Sequence, residues 1–221
     1  MKSFDLVLVS YVWLWNNKPE VGKIALPVLF LIFTTQFINN ELLLIFIYLI
    51  GVWLVSSSMI QLHRFILLEK DKSSIKILAQ PSRLDFIYLF VWFLLTIIEN
   101  IFERVIDQIS GYSGPFEILI IILSIILSIY VFGRSYMIFP AVSVGKDFSF
   151  AWKLTNKKGR VLLTIASLFI FLIPMFLFLA FMLMLVGPNL YLILASIFLN
   201  MVFVNAHYSH LFKSFTVRRD K

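Results

Sequence analysis

The sequence predicts an all-α, polytopic membrane protein: six transmembrane helices arranged as three hairpins, with short interfacial amphipathic helices and both termini cytoplasmic. Three observations predict it. Hydrophobic residues make up 61% of the 221 and charged ones 14%, with a mean hydropathy of +0.95, where soluble domains hold about 45–50% and about 25%. Long apolar runs recur between short polar breaks. Lysine and arginine are concentrated in alternate breaks, the pattern that positive-inside retention produces.

The apolar run at 4–15 is too short to cross a bilayer, which takes about twenty residues. It lacks a small-residue cleavage site and contains Asp5, Trp13 and Trp15, so it reads as an interfacial helix with the tryptophans at headgroup level. The first span covers 24–38, with Pro27 near its start, and Asn39, Asn40 and Glu41 make the turn. The second covers 42–62, including Ser56, Ser57 and Ser58. The third covers 86–105 and ends among Glu99, Asn100, Glu103, Arg104 and Asp107. Gly111, Gly114 and Pro115 turn the chain into a fourth span at 118–132. The fifth, 161–186, is long enough to tilt and carries Pro174 as a kink. Gly187, Pro188 and Asn189 form a hairpin turn before the sixth span, 190–207, which leads into a polar tail. The whole of 1–221 is one integral membrane domain.

With this division, eighteen of the nineteen Lys and Arg fall on one face, which also holds seven of the twelve acids and so carries +11. The other face has Arg104 and five acids, for −4. A miscounted span would scramble this segregation, so charge supports six spans independently of hydropathy.

The longest polar interruption is the basic cytoplasmic loop 134–160. Arg134, Trp152, Lys153, Lys157, Lys158 and Arg160 are its expected lipid-interface residues, set against an anionic inner leaflet. An amphipathic helix is expected there, capped by Asp147 or Ser149, with Phe148, Trp152 and Thr155 on one face. Pro140 and Gly145 read as a turn. A short aromatic stretch followed by a two-helix hairpin occurs at 4–63 and again at 148–207, which suggests an internal repeat.

Two stretches, HRFILLEKD at 63–71 and RSYMIFPAVSVGKDFSFAWKLT at 134–155, resemble uncharacterised bacterial six-helix inner-membrane proteins similar to the membrane domain that accompanies some glycerophosphodiester phosphodiesterases. The matching positions are His63, Arg64, Leu68 and Glu69, then Arg134, Pro140, Ala141, Gly145, Ala151, Trp152 and Thr155. The resemblance implies a multi-pass bundle in the cell inner membrane. It implies no chemistry, because the catalytic part of those proteins is a separate soluble domain.

No catalytic constellation is present: GxSxG, HExxH, Walker and dinucleotide motifs are all missing. With no cysteine, thiol chemistry and Cys-based zinc sites are excluded. No cofactor is expected. His63, His207 and His210 are weak metal candidates, since all three fall at one boundary; interfacial hydrogen bonding is the competing explanation. Glu99, Glu103, Asp107 and Arg104 are the binding candidates. At 100° per residue, Glu99, Glu103 and Asp107 share a helix face with Trp92 and Thr96, and Glu99 would sit about 20 Å along the third span, within the ~30 Å hydrocarbon core. Intramembrane acids are functional candidates by default; alternatively the helix stops near Ile98 and these residues belong to the outer loop.

Three functions remain. The first is a non-catalytic inner-membrane protein that organises lipid or partner proteins, or a homo-oligomer. The second is a cation- or proton-linked transporter or channel using the acidic end of the third span. The third is a lipid-modifying enzyme around His63, Arg64, Arg134 and His207. Basic residues spread over four segments beside the bilayer exclude nucleic acid as a partner.

Overall fold

The structure, a computed structural model, describes residues 3–69, 75–76, 82–109, 115–157, 159–187 and 189–217. Among them the regular structure is helical throughout: α1 (Ser3–Asn16), α2 (Lys18–Thr35), α3 (Glu41–Leu67), α4 (Arg83–Ile109), α5 (Pro115–Ser135), α6 (Ile138–Ser143), α7 (Phe148–Thr155), α8 (Arg160–Val186) and α9 (Leu190–Val217). The helices α3 and α9 are long and apolar enough to cross a membrane, with window hydropathies of 2.3 and 1.7. At about 1.5 Å per residue, 27 residues give a rod of about 40 Å against a ~30 Å core.

Local chemistry sets most boundaries. The side chain of Asn40 accepts the Leu43 N–H and starts α3. At the start of α4 the Asp85 carboxylate reaches back to Ser82, accepting its N–H at 2.7 Å and its hydroxyl at 2.6 Å, while the Ser82 carbonyl accepts the Asp85 N–H at 3.0 Å. Pro19 sits in the first turn of α2, where its missing N–H costs nothing. After α3 the chain turns through Glu69 at φ 48°, a left-handed position that glycine usually fills. Lys213 of α9 pairs with its carboxylate there, and that hydrogen bond holds the carboxyl below its ordinary value.

Six helices pack in a ring, each against the next, in the order α2, α3, α4, α5, α8, α9, with α9 returning to α2. Hairpin turns between α2 and α3, and between α8 and α9, lie at one end of the ring. At the opposite end α3 and α9 converge and α6 packs beneath α3, α4 and α9. The buried core lies at this convergent end: Leu54, Met59, Leu62 and Ile66 of α3 meet Phe198, Val202 and Ala206 of α9. A second cluster joins Met137, Ala141, Ala151 and Leu154 to Tyr208, Leu211 and Phe215. Packing loosens towards the hairpin end, where Leu42, Phe46 and Tyr48 are each about two-thirds exposed or more. Gly51 of α3 lets α2 approach, since a Cβ there would come within 3.0 Å of Leu31 Cδ2.

Several expectations change. Pro140 begins no simple turn: 138–143 form α6, and the chain reverses afterwards at Gly145, φ +75°. The expected polar tail after 207 is the continuation of α9, with His207, Tyr208 and Leu211 fully buried. The helix α4 does not stop at Ile98 but runs to Ile109. The two halves of the suggested repeat share an order of elements yet pack differently, α1 on α8 and α9 but α7 on α6 and α5.

The helix α7 forms as expected and is capped by Asp147, whose side chain accepts the Phe150 N–H at 2.7 Å. That bond, followed by one from the Ser149 hydroxyl, holds the Asp147 carboxyl below its ordinary value. A carboxyl lowered by folding adds stability that is complete above its unfolded value and is lost as pH falls through the folded one. Acidification through that range is therefore expected to lower the protection factor of the Phe150 amide, the ratio of its intrinsic exchange rate to the observed rate at the same pH. Asp147→Ala gives the low protection factor already at neutral pH, whereas Asp147→Asn caps without titrating and removes the pH dependence of that ratio.

Candidate functional site

The second half of α9 is enclosed on all sides, and it carries polar side chains that need partners. On one face His207 Nδ1 meets Ser10 Oγ of α1 at 2.9 Å and its Nε2 meets Ser167 Oγ of α8 at 3.1 Å. On the other, Ser209 Oγ meets His63 Nδ1 of α3 at 2.6 Å, and His63 Nε2 meets the Tyr88 hydroxyl of α4 at 3.2 Å. Ser10 and Ser209 each donate to a carbonyl four residues back on their own helix, at Leu6 and Asn205. Ser167 likewise donates to a carbonyl of its own helix, at Thr164, so all three serine oxygens face the imidazoles as acceptors and a neutral His207 donates to one of its two serines, not both. The Tyr88 hydroxyl, with a single hydrogen, lies between His63 Nε2 and, at 3.3 Å, Asn205 Oδ1. Two further serines bind helix to helix: Ser58 donates to the Ile24 carbonyl at 2.9 Å and Ser56 to that of Asp85 at 3.2 Å.

Above this polar layer the ring encloses a cavity of about 1120 Å³. Its wall comes from α2, α3, α4, α8 and α9, through residues such as Leu31, Val52, Leu89, Leu172, Ile197 and Met201. Tyr88, Asn205, Tyr208, Tyr136 and Phe139 form its floor at the convergent end. The floor is a packed aromatic set, with ring centroids 4.7 Å apart for Tyr88 and Phe139, 5.7 Å for Tyr136 and Phe139, and 5.6 Å for Tyr136 and Tyr208. Among the described residues no Asp, Glu, Lys, Arg or His lines the cavity.

The histidines do not converge. His63 and His207 lie on opposite sides of α9 with their nitrogens on hydroxyls, while His210 packs edge-on against Trp13 at 5.4 Å. Among the described residues no group of three His, Asp, Glu or Cys side chains could hold a metal ion. Of the binding candidates, Arg104 and Asp107 are exposed on α4 and neither borders the cavity. The side chains of Glu99 and Glu103 lie outside the described residues. Trp92, from the same face, does line the cavity.

The lipid-interface set divides. Trp152, Lys153 and Lys157 are exposed, as is Phe148 at 45%, while Thr155, expected on their face, is buried with Ala151 and Leu154. Lys158 lies outside the described residues. Arg134 departs most: it is 4% exposed, not at a headgroup surface. Its guanidinium stacks 3.9 Å above the Trp152 ring and donates to the Tyr130 hydroxyl at 2.7 Å, the Trp152 carbonyl at 3.1 Å and Thr155 Oγ1 at 3.2 Å. Arg160 likewise turns inward, to the Leu154 carbonyl at 2.8 Å and the Phe215 carbonyl at 3.1 Å, and Arg64 reaches the Ser143 carbonyl at 2.8 Å. Each guanidinium thus meets carbonyls at or near a helix C-terminus, where a cation is favoured.

Sequence reading missed Ser10, Tyr88, Ser167, Asn205, Tyr208 and Ser209 as a set. The available signal was that Asn205, Tyr208 and Ser209 sit at i, i+3 and i+4 in an otherwise apolar helix. Compared with protein-family models, curated proteins and solved structures, the chain matches none.

Removing Arg134 leaves α7 without its tie to α5. Arg134→Ala is expected to cost about 3 kcal/mol, the sum of a desolvated cation–π contact and charge-assisted hydrogen bonds. Arg134→Lys should recover less than half, because an ammonium cannot reproduce the fork or the stack. Lys153→Ala, at an exposed position, should change stability by no more than about 0.5 kcal/mol. Thermal melting in detergent checks all three.

Proposed function

We propose that this chain is a non-catalytic, multi-pass inner-membrane protein that organises lipid. Its six spans are α2, α3, α4, α5, α8 and α9, paired as three hairpins, and both termini are cytoplasmic. The observation that supports the reading best is the cavity: a space of about 1120 Å³ with no Asp, Glu, Lys, Arg or His on its wall among the described residues. In a bilayer such a space fills with hydrocarbon rather than water, because water would find few polar partners along it. The eighteen-to-one division of Lys and Arg supports the orientation, with the convergent end on the cytoplasmic side. The resemblance to bacterial six-helix inner-membrane proteins agrees with this reading and implies no catalysis either.

The alternatives find less support. Cation or proton transport through the bundle calls for a polar path, and the described members of the acidic cluster stay outside the cavity. Lipid chemistry at His63, Arg64, Arg134 and His207 calls for side chains free to act on a substrate. His63, Arg134 and His207 are buried with their polar atoms on neighbouring side chains and carbonyls, and Arg64 donates its Nε to the Ser143 carbonyl.

The test is topological and compositional. Alkaline phosphatase fused at Asn189 should be active and fused at Lys221 inactive, and the purified protein should carry lipid through mild detergent. A periplasmic Lys221 would reject the six-span arrangement, and a lipid-free preparation of full stability would reject lipid organisation.

A further inference from the structure

Resting on that reading, we infer that the cavity is a binding site for an uncharged two-chain lipid of the diacylglycerol class. Its hydroxyl and ester oxygens meet the floor at Tyr208, and its chains extend towards the hairpin end. The argument begins with Tyr208. Its side chain is 2% exposed and lines the cavity, yet its hydroxyl has no hydrogen-bond partner. A buried hydroxyl without a partner costs free energy that a ligand oxygen restores. Tyr208 lies one helical turn from Asn205, whose Oδ1 accepts from Tyr88 at 3.3 Å, a long bond that a ligand oxygen can improve. The floor therefore offers one free donor and two adaptable polar groups beneath an apolar shaft.

Charge decides the headgroup. With no Lys, Arg or His on the lining among the described residues, a phosphate or carboxylate at the floor would be an unpaired charge in a low-dielectric site, which is strongly disfavoured. Dimensions decide the tail. The lining runs along α9 from Leu194 to Tyr208, fourteen residues or about 21 Å at ~1.5 Å per residue. Spreading 1120 Å³ over that length leaves a mean cross-section of about 50 Å², while a single hydrocarbon chain, with carbons touching at about 4 Å, fills less than half of it. Two chains side by side fit, and one leaves voids. The wall is continuous with exposed apolar residues at the hairpin end, including Ile45 and Ile197, which gives the chains an exit into bilayer hydrocarbon.

The experiment is native mass spectrometry of the full chain in mild detergent, titrated separately with dioleoylglycerol, dioleoylphosphatidylglycerol and a long-chain polyprenol. Dioleoylglycerol is expected to bind at one copy per chain and more tightly than either of the others. Tyr208→Phe keeps the ring stack and removes the hydroxyl. It should weaken dioleoylglycerol about threefold to tenfold, the worth of one neutral hydrogen bond, and the lipid-free variant should melt no lower than the parent. Met201→Trp, which fills the shaft without touching the floor's oxygens, should abolish binding.

Equal or tighter binding of the phosphate lipid would overturn the neutral headgroup, and tighter binding of the polyprenol the two-chain assignment. Undiminished affinity in Tyr208→Phe would overturn the role of the floor. If dioleoylglycerol fails to bind while the fusions at Asn189 and Lys221 report the expected sides, the inferred ligand fails and the membrane arrangement stands.

Discussion

Enclosure of the second half of α9 is the constraint on which the rest of this structure depends. From Asn205 to Phe212 every residue of the helix is buried, although the stretch contains two histidines, an asparagine, a tyrosine and a serine. In hydrocarbon, apolar burial gives helices little reason to associate, so packing and interhelical hydrogen bonds must hold them together. Here the polar residues of one helix reach α1, α3 and α8 directly and α4 through His63, so their satisfaction fixes how four neighbours are rotated. His207 would be unsatisfied if α1 or α8 turned away, and His63 would lose Ser209 if α3 did.

The basic residues divide in a related way. The arginines at 64, 134 and 160 turn inwards onto the carbonyls of short helices, while Lys153 and Lys157 stay exposed. Geometry explains the division. A guanidinium can stack on an aromatic ring and donate to several carbonyls at once, and it is more weakly hydrated than an ammonium. The convergent end is thus stitched by arginine, and Lys153 and Lys157 stay exposed.

Consequently the bundle is stiff at one end and open at the other. Hydrogen-bonded serines, histidines and arginine clasps crowd the convergent end, whereas the hairpin end is built from Leu, Ile and Phe with few polar ties. A cavity with a polar floor and an apolar wall follows from this gradient.

Helical class, the approximate course of the long helices and the Asp147 cap were legible in the sequence, because each depends on neighbours within a few residues or on summed composition. The reach of α4 past Ile98 and of α9 past His207 was not. Polar residues such as Glu99 or His210 look like helix ends when hydropathy is the guide, but only surrounding helices decide whether a polar turn is enclosed or solvated. The burial of Arg134 was not legible either: a basic residue beside an apolar run resembles a headgroup contact until Trp152 and Thr155, eighteen and 21 positions away in the chain, are brought against it. The cavity was wholly beyond the sequence. It is the space left where six helices close a ring at one end and diverge at the other, and that angle belongs to packing rather than to any single segment.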